Sequence, residues 1–301
     1  MRLAITGATG FVGGRLARLA VAKGHQLRAL TRRPQSDQRG IDWIEGTLDE
    51  REPLRRLVEG VDALIHVAGV VKAFDRATFD AGNVAGTLHL LAAATAGGVH
   101  RFVHVSSLAA RKPELSLYGA SKAKAERLVM DSGLDWAVVR PPAVYGPGDR
   151  ELLDLFKAAR TGLVPLPPPG RLSTIHVDDL AQLLLALAAP EAPKRVLYEP
   201  DDGHTGGYTH KQFAQAIGHA VERRPICLSV PAPLLRAGAR IDRLLRRDRA
   251  KLTADRAAYF CHPDWTADPA KAPPPAVWQP AIAADTGLSA TARWYEGQGW
   301  L

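Results

Sequence analysis

The chain has 301 residues, 46% hydrophobic and 23% charged, with a formal net charge of +8. That is the make-up of a soluble globular protein, long enough for a large core or for two lobes. The longest strongly apolar run, near Leu180 to Ala189, is far short of the roughly 20 residues that a bilayer span needs, so no stable membrane span is expected.

Two cysteines, Cys227 and Cys261, sit in no metal or redox spacing, which suits simple thiols in a reducing compartment. No signal peptide is read at the start, so a cytoplasmic protein is expected. The positive charge suits an anionic cofactor and substrate. It also suits nucleic acid or an acidic membrane surface, but no zinc-finger or RNA-binding signature accompanies it, so nucleic acid is not expected. No spacing of His and Cys suggests a metal, and none is expected.

The first stretch reads as strand, phosphate loop and helix. An apolar run from Leu3 ends in a turn with Gly7, Gly10 and Gly13, and an amphipathic stretch follows as far as Gly24. Gly7 allows the tight turn, Gly10 lets backbone approach a pyrophosphate, and Gly13 lets the helix sit close on the sheet. The helix N-terminus offers free N–H groups to the phosphates. The spacing is G-x-x-G-x-x-G rather than G-x-G-x-x-G, and on its own such a turn can bind nothing.

Further strands are expected at His25–Leu30, Ile41–Ile44, Ala63–Val67, Phe102–Val105 and Trp136–Arg140. Helices are expected at Pro53–Val58, Thr87–Ala96 and Ser121–Asp131. This alternation implies an α/β fold, a Rossmann-type, doubly wound parallel sheet with ligands at the carboxyl ends of its strands. Ile175–Val177, the helix from Asp178, and Val196–Tyr198 look like a return to the main sheet. The expected division is a nucleotide-binding domain over 1–150 with 173–200, and a smaller C-terminal substrate lobe over 151–172 and 201–301. Helices at Lys211–Val221 and Leu234–Arg247 fall in that lobe.

Two groups of residues carry chemistry. Arg32 and Arg33 follow the second strand, where an acidic residue would bind the ribose 2′-hydroxyl of NAD. Arginines there suit the 2′-phosphate of NADP through charge-assisted contacts, with NAD as the alternative. Tyr118 and Lys122, four residues apart, share one helix face. A nearby ammonium favours the phenolate and should lower the tyrosine pKa, giving an acid/base near neutral pH. Ser106-Ser107, after a strand, offers a hydroxyl to a carbonyl oxygen. Taken alone, Tyr-x-x-x-Lys is equally a core tyrosine beside a surface lysine.

Pro233 to Lys251 is amphipathic and Arg-rich. It reads as a lobe helix with one core face and a basic solvated face, or more sharply as a membrane-surface contact. The tryptophans at 265, 278, 294 and 300 read as packing residues.

These pieces together resemble an extended short-chain dehydrogenase/reductase of the NAD-dependent epimerase/dehydratase type, nearly end to end. The matching segments are Thr6–Gly13, His66–Gly69, Asn83–Thr87, Val105–Ser107, Tyr118 with Lys122, Arg140–Gly148, Ile175–Leu180 and the closing Trp294–Leu301. The resemblance implies that Tyr118 is the general acid/base, Lys122 holds the nicotinamide ribose and Ser107 orients the substrate oxygen. It implies that Thr9, Phe11 and Val12 complete the phosphate loop and that Ala68 and Gly69 line the adenosine side. Asn83 would support the active-site backbone, Pro141 and Val144 would lie against the nicotinamide, and Arg171 and His176 would stand at the substrate mouth.

Two departures matter. Thr47-Leu48 stand where relatives often place Asp-Leu on the adenine, so that cofactor contact differs. The segment from Ser107 to Tyr118 is shorter than in many sugar-nucleotide enzymes. The expected activity is therefore NADPH-dependent reduction of a carbonyl or oxidation of a secondary alcohol, on a small-molecule substrate. The alternative is a nucleotide-sugar epimerase or dehydratase with internal redox cycling. A homodimer through helices of the main domain is implied by resemblance alone.

Overall fold

The structure is a computed structural model that describes residues 1–246 and 252–301; the end of the Arg-rich stretch, 247–251, lies outside the described residues. The chain divides into two compact units. The first comprises Met1–Arg140, Leu180–Glu199 and Pro273–Gln279, and the second comprises Pro141–Asp179, Pro200–Ala272 and Pro280–Leu301.

The first unit is built on seven parallel strands. In chain order it runs β1 (Arg2–Thr6), α1 (Phe11–Ala22), β2 (Gln26–Thr31), β3 (Ile41–Glu45), α2 (Arg51–Val58) and β4 (Ala63–His66). It continues with α3 (Arg76–Phe79), a π-helical turn (Asp80–Ala85), α4 (Gly86–Ala96), β5 (Arg101–Val105), α5 (Leu117–Met130) and β6 (Asp135–Val139). The spatial order is β3-β2-β1-β4-β5-β6, closed by the later strand Val196–Tyr198, which is β11 in chain order. The order reverses between β1 and β4, and a doubly wound sheet opens its ligand crevice at that point.

β1 beyond Arg2, β4 and β5 are buried along their length, as strands covered on both faces must be. One face meets α2, α4 and α5 through Ala4, Leu54, Leu64, Leu90, Phe102, Val129 and Val138. Gly97-Gly98 ends α4, with Gly98 at φ +70°, a conformation that glycine adopts without strain.

The second unit contains β7 (Ala143–Tyr145), α6 (Leu153–Thr161), β8 (Leu163–Leu166), β9 (Arg171–Leu172), β10 (Thr174–His176) and the start of α7 (Val177–Leu187). It also holds β12 (Tyr208–Thr209), α8 (His210–Ala220), β13 (Ile226–Ser229), α9 (Ala232–Arg246), α10 (Ala254–Phe260), β14 (Asp264–Trp265) and α11 (Ala284–Gly297). Its core joins Tyr145, Phe156, Val164, Phe213, Leu288 and Tyr295. Phe156 meets Tyr295 edge-on at 5.1 Å, and Trp300 stacks on Tyr295. The tryptophans at 265, 294 and 300 are in aromatic contacts of this kind, as packing residues should be.

One expectation is corrected. The strand at 175–177 does not return to the main sheet; as β10 it pairs with β7 in a separate two-stranded ribbon. The position beside β6 is filled by β11, with Val196 opposite Ala137. Val196–Tyr198 does rejoin the main sheet, and the helix expected from Asp178 belongs to the first unit from Leu180 onward.

Candidate active site

The loop after β1 is shaped by contacts that exclude side chains. Gly7 lies at φ +77°, and a Cβ there would stand 2.7 Å from the Ala68 nitrogen. A Cβ on Gly13 would fall 2.1 Å from the Gly7 carbonyl oxygen. The start of α1 is thus pressed against the end of β1, and β1 against the Val67–Ala68 backbone. Gly10 is the N-cap, with no side-chain cap and no acidic residue in the first turn. The helix opens with its N–H groups and positive end available, the arrangement that receives an anion. This cradle at the switch point fits a dinucleotide pyrophosphate.

Beneath the cradle lies a hydrogen-bond relay. Thr87 Oγ1 donates to the Asn83 carbonyl, so the Nε2 of His66 must donate to Thr87 Oγ1 at 2.9 Å. The Nδ1 of His66 then accepts from Thr6 Oγ1 at 2.7 Å, and Thr6 Oγ1 accepts from the Ala68 N–H. Both hydroxyls and the ring are satisfied only by neutral imidazole. Burial, with the Lys122 charge adding to it, pushes His66 down to about 3 and keeps it neutral. His66 is a strut between β1, β4 and α4.

Asn83 sits in the π-helical turn. Its Oδ1 accepts from the Val70 N–H at 2.6 Å, and its Nδ2 donates to the Val70 carbonyl and to Ser121 Oγ. Ser121 Oγ passes the chain on to the Tyr118 carbonyl. The π turn gives Asn83 the inward aim that ties the loop after β4 to the first turn of α5. A Cβ on Gly69 would stand 3.1 Å from Asn83 Oδ1 and 3.7 Å from Lys122 Nζ.

Helix α5 begins earlier than the sequence suggests, because Ser116 caps it by accepting from the Gly119 N–H. Tyr118 is therefore in the first turn. Its phenol is hydrogen-bonded to Ser107, and Phe79 packs on its ring. The neighbouring hydroxyl, Ser106, is spent on Glu126 at 2.5 Å. Lys122 is buried and donates to the Val105 carbonyl at 2.7 Å. Burial brings it down to about 8, against the pull of Glu126.

The tyrosine pKa runs opposite to the sequence expectation. Burial raises it above the ordinary phenol value, and the Ser107 hydrogen bond offsets only part of this. The Lys122 ammonium is held at the Val105 carbonyl, and burial is the larger influence on the phenol.

Behind these residues runs a chain of buried charges that motif reading did not single out. Glu126 accepts twice from Arg140, at 2.8 and 2.6 Å. Arg140 also reaches Glu199 at 3.3 Å, and Glu199 binds Arg111 at 3.1 Å. Ser107 lies on the short segment between two of these anchors: Ser106 on Glu126, and Arg111 on Glu199. The signal for Glu126 was present, since it follows Lys122 by four residues and Tyr118 by eight on the same helix face. Glu199 carried no local signal, because only the return of β11 beside β6 brings it to Arg140.

The other expected site residues are placed as follows. The guanidinium groups of Arg32 and Arg33 are exposed after β2, and both are without an acidic partner among the described residues. Thr47 donates its N–H to Glu50, and Leu48 lies against Gly86. Thr9, Phe11 and Val12 border the cradle at the start of α1. Pro141 and Val144 belong to the second unit, with Val144 paired to Ile175. Arg171 donates to the carbonyls of Gly206 and Gly207, so its charge braces a loop of its own unit. His176 is buried edge-on against Tyr145 at 5.3 Å.

The NAD dependent epimerase/dehydratase family model matches residues 3–197, from β1 through β11. The chain belongs to this family. A ceramide reductase of Caulobacter vibrioides is 37% identical over 99% of this chain and 96% of its own length. A 4-hydroxy-2-methyl-3-oxo-4-farnesyl-3,4-dihydroquinoline-1-oxide ketoreductase of Stigmatella aurantiaca is 36% identical over 67% of this chain and 69% of its own. The fold of the Bordetella bronchiseptica enzyme WbmG, solved in complex with NAD, matches 100% of this chain and 95% of that one with a TM-score of 0.77 at 19% identity. Membership and relatives make this protein an NAD(P)-dependent oxidoreductase.

Proposed function

We propose that the protein reduces a ketone on a long-chain, apolar substrate of the ceramide class, with NADPH as reductant. The observation that carries the reaction is Tyr118 in the first turn of α5, one helical turn from a buried Lys122, with Ser107 acting on its phenol. When bound, the nicotinamide supplies hydride to the carbonyl carbon. Tyr118 then gives its phenolic proton to the carbonyl oxygen, and Ser107 holds that oxygen by a second hydrogen bond. Lys122 would hold the ribose hydroxyls of the cofactor with the donors not used on Val105. The substrate class rests on the similarity to the ceramide reductase over nearly the whole of both chains. The farnesyl-bearing substrate in the ketoreductase's name points the same way.

The test is loss of nicotinamide absorbance with purified protein, NADPH and a series of long-chain ketones and 3-oxo amides. Steady consumption is expected. No consumption, with cofactor released only on denaturation, would favour internal redox cycling on a nucleotide sugar.

NADPH is preferred over NADH in this reading because Arg32 and Arg33 are unpaired where the adenosine ribose ends. Replacing both by alanine should raise the Kd for NADPH by about 10- to 100-fold, the value of about one charge-assisted hydrogen bond. The Kd for NADH should barely move. Fluorescence titration measures both, and equal losses would sink the assignment.

A further inference from the structure

The second unit turns an apolar, basic surface to solvent. Along α9, Leu234, Ile241 and Leu245 fall within one narrow arc, with Leu244 beside them. All four are exposed, Leu244 and Leu245 by 79% and 77%. The opposite side of the helix holds buried Ala239 and half-buried Leu235 and Asp242. The expected lobe helix has its core face on alanine and its leucines outward. That reverses the usual economy of an amphipathic surface helix.

The strand leading into α9 continues the pattern. β13 pairs with β8 in register, Ile226 opposite Leu163 and Leu228 opposite Pro165. Ile226, Leu228 and Leu163 are exposed, while Val164 and Leu166 on the other face are buried. Two consecutive elements thus show apolar side chains to water, more than the scattered single residues of an ordinary surface.

The charge of the same segment identifies the occupant. From Glu222 to Arg246 the sequence has six Lys and Arg against two Asp and Glu, which is four of the chain's eight net positive charges. Arg240 is exposed next to Leu244 on the helix surface, and Arg236 is exposed one turn before it on the same flank. A protein partner would need matching acid and apolar surface. An anionic bilayer offers both at once, headgroup charge above an acyl layer. Among the described residues no helix is long and apolar enough to cross a membrane, so the contact would lie in the interface plane.

We infer that β13 and α9 form a docking face for an anionic phospholipid bilayer. The inference stands on this surface alone and does not require the proposed substrate. The test is flotation of the full chain with phosphatidylcholine vesicles, with and without phosphatidylglycerol. Binding is expected only with phosphatidylglycerol, and it should weaken as salt rises. Leu244→Ser/Leu245→Ser should abolish it, and Arg236→Gln/Arg240→Gln should weaken it several-fold. Both variants should keep wild-type NADPH affinity by fluorescence titration, a control that reports the fold whatever the substrate proves to be. Absence of binding would overturn the inference. So would equal binding to neutral vesicles, or light scattering that shows a dimer which Leu244→Ser/Leu245→Ser converts to monomer, since a second copy would then cover this face.

Discussion

Tyr118→Phe is expected to lower kcat for carbonyl reduction by about 10²- to 10⁴-fold, the usual contribution of a positioned proton donor. In barrier height that is about 3–5 kcal/mol. The substitution is clean, because the ring packs on Phe79 and only the hydroxyl is lost. NADPH affinity should hold, since Lys122 keeps its anchor on the Val105 carbonyl. Stopped-flow hydride transfer and a separate cofactor titration distinguish the outcomes. Turnover near wild type would mean that water supplies the proton. A matching fall in affinity would mean that the phenol is structural.

The raised phenol pKa gives the pH dependence a sign. Above its ordinary value, Tyr118 is protonated throughout the neutral range, which is the form that reduction consumes. Reduction should therefore stay level through neutral pH. Oxidation of the alcohol needs the phenolate and should climb as pH rises. Lys122 remains an ammonium below about pH 8, and beyond that its charge beside the Val105 carbonyl is lost.

How much of this was legible depended on range along the chain. The glycine loop was readable because one of its two close contacts is local, Gly13 on the Gly7 carbonyl; the other, Gly7 on the Ala68 backbone, spans the sheet and left no mark in the spacing. Tyr118 and Lys122 were readable for the same reason, as one turn of one helix. The pKa of Tyr118 was not, because spacing placed a lysine nearby without saying that Val105 holds its ammonium or that burial outweighs it. The fate of 175–177 was hidden as well. A short apolar strand carries no mark of which edge it joins, and β11 had filled the place beside β6. The leucines of α9 showed a helical period, but a period does not say which way the face turns. Glu199, 59 residues from Arg140, was the least visible of all.

Glu199 is also where the largest stability effect is expected. Its carboxylate is buried and takes Arg111 on one oxygen and Arg140 on the other. Glu199→Ala leaves both guanidinium groups facing a vacated, poorly solvated site. Arg140 keeps Glu126, but Arg111 loses its carboxylate at the end of the segment that carries Ser107. Removing one partner from a buried ion pair costs about 3–5 kcal/mol, because the remaining charge is uncompensated. For a chain of this size that is a Tm drop on the order of 10 °C. Glu199→Gln keeps the shape and the acceptor oxygen, so it should lose less. The double variant Arg111→Ala/Glu199→Ala should be more stable than the two single losses added together, since the orphaned charge leaves with its partner. Chemical denaturation of the four proteins measures the coupling. Strict additivity would mean that solvent already screens the Arg111–Glu199 pair, and the anchoring of the Ser107 segment would then fall to Ser106 and Glu126 alone.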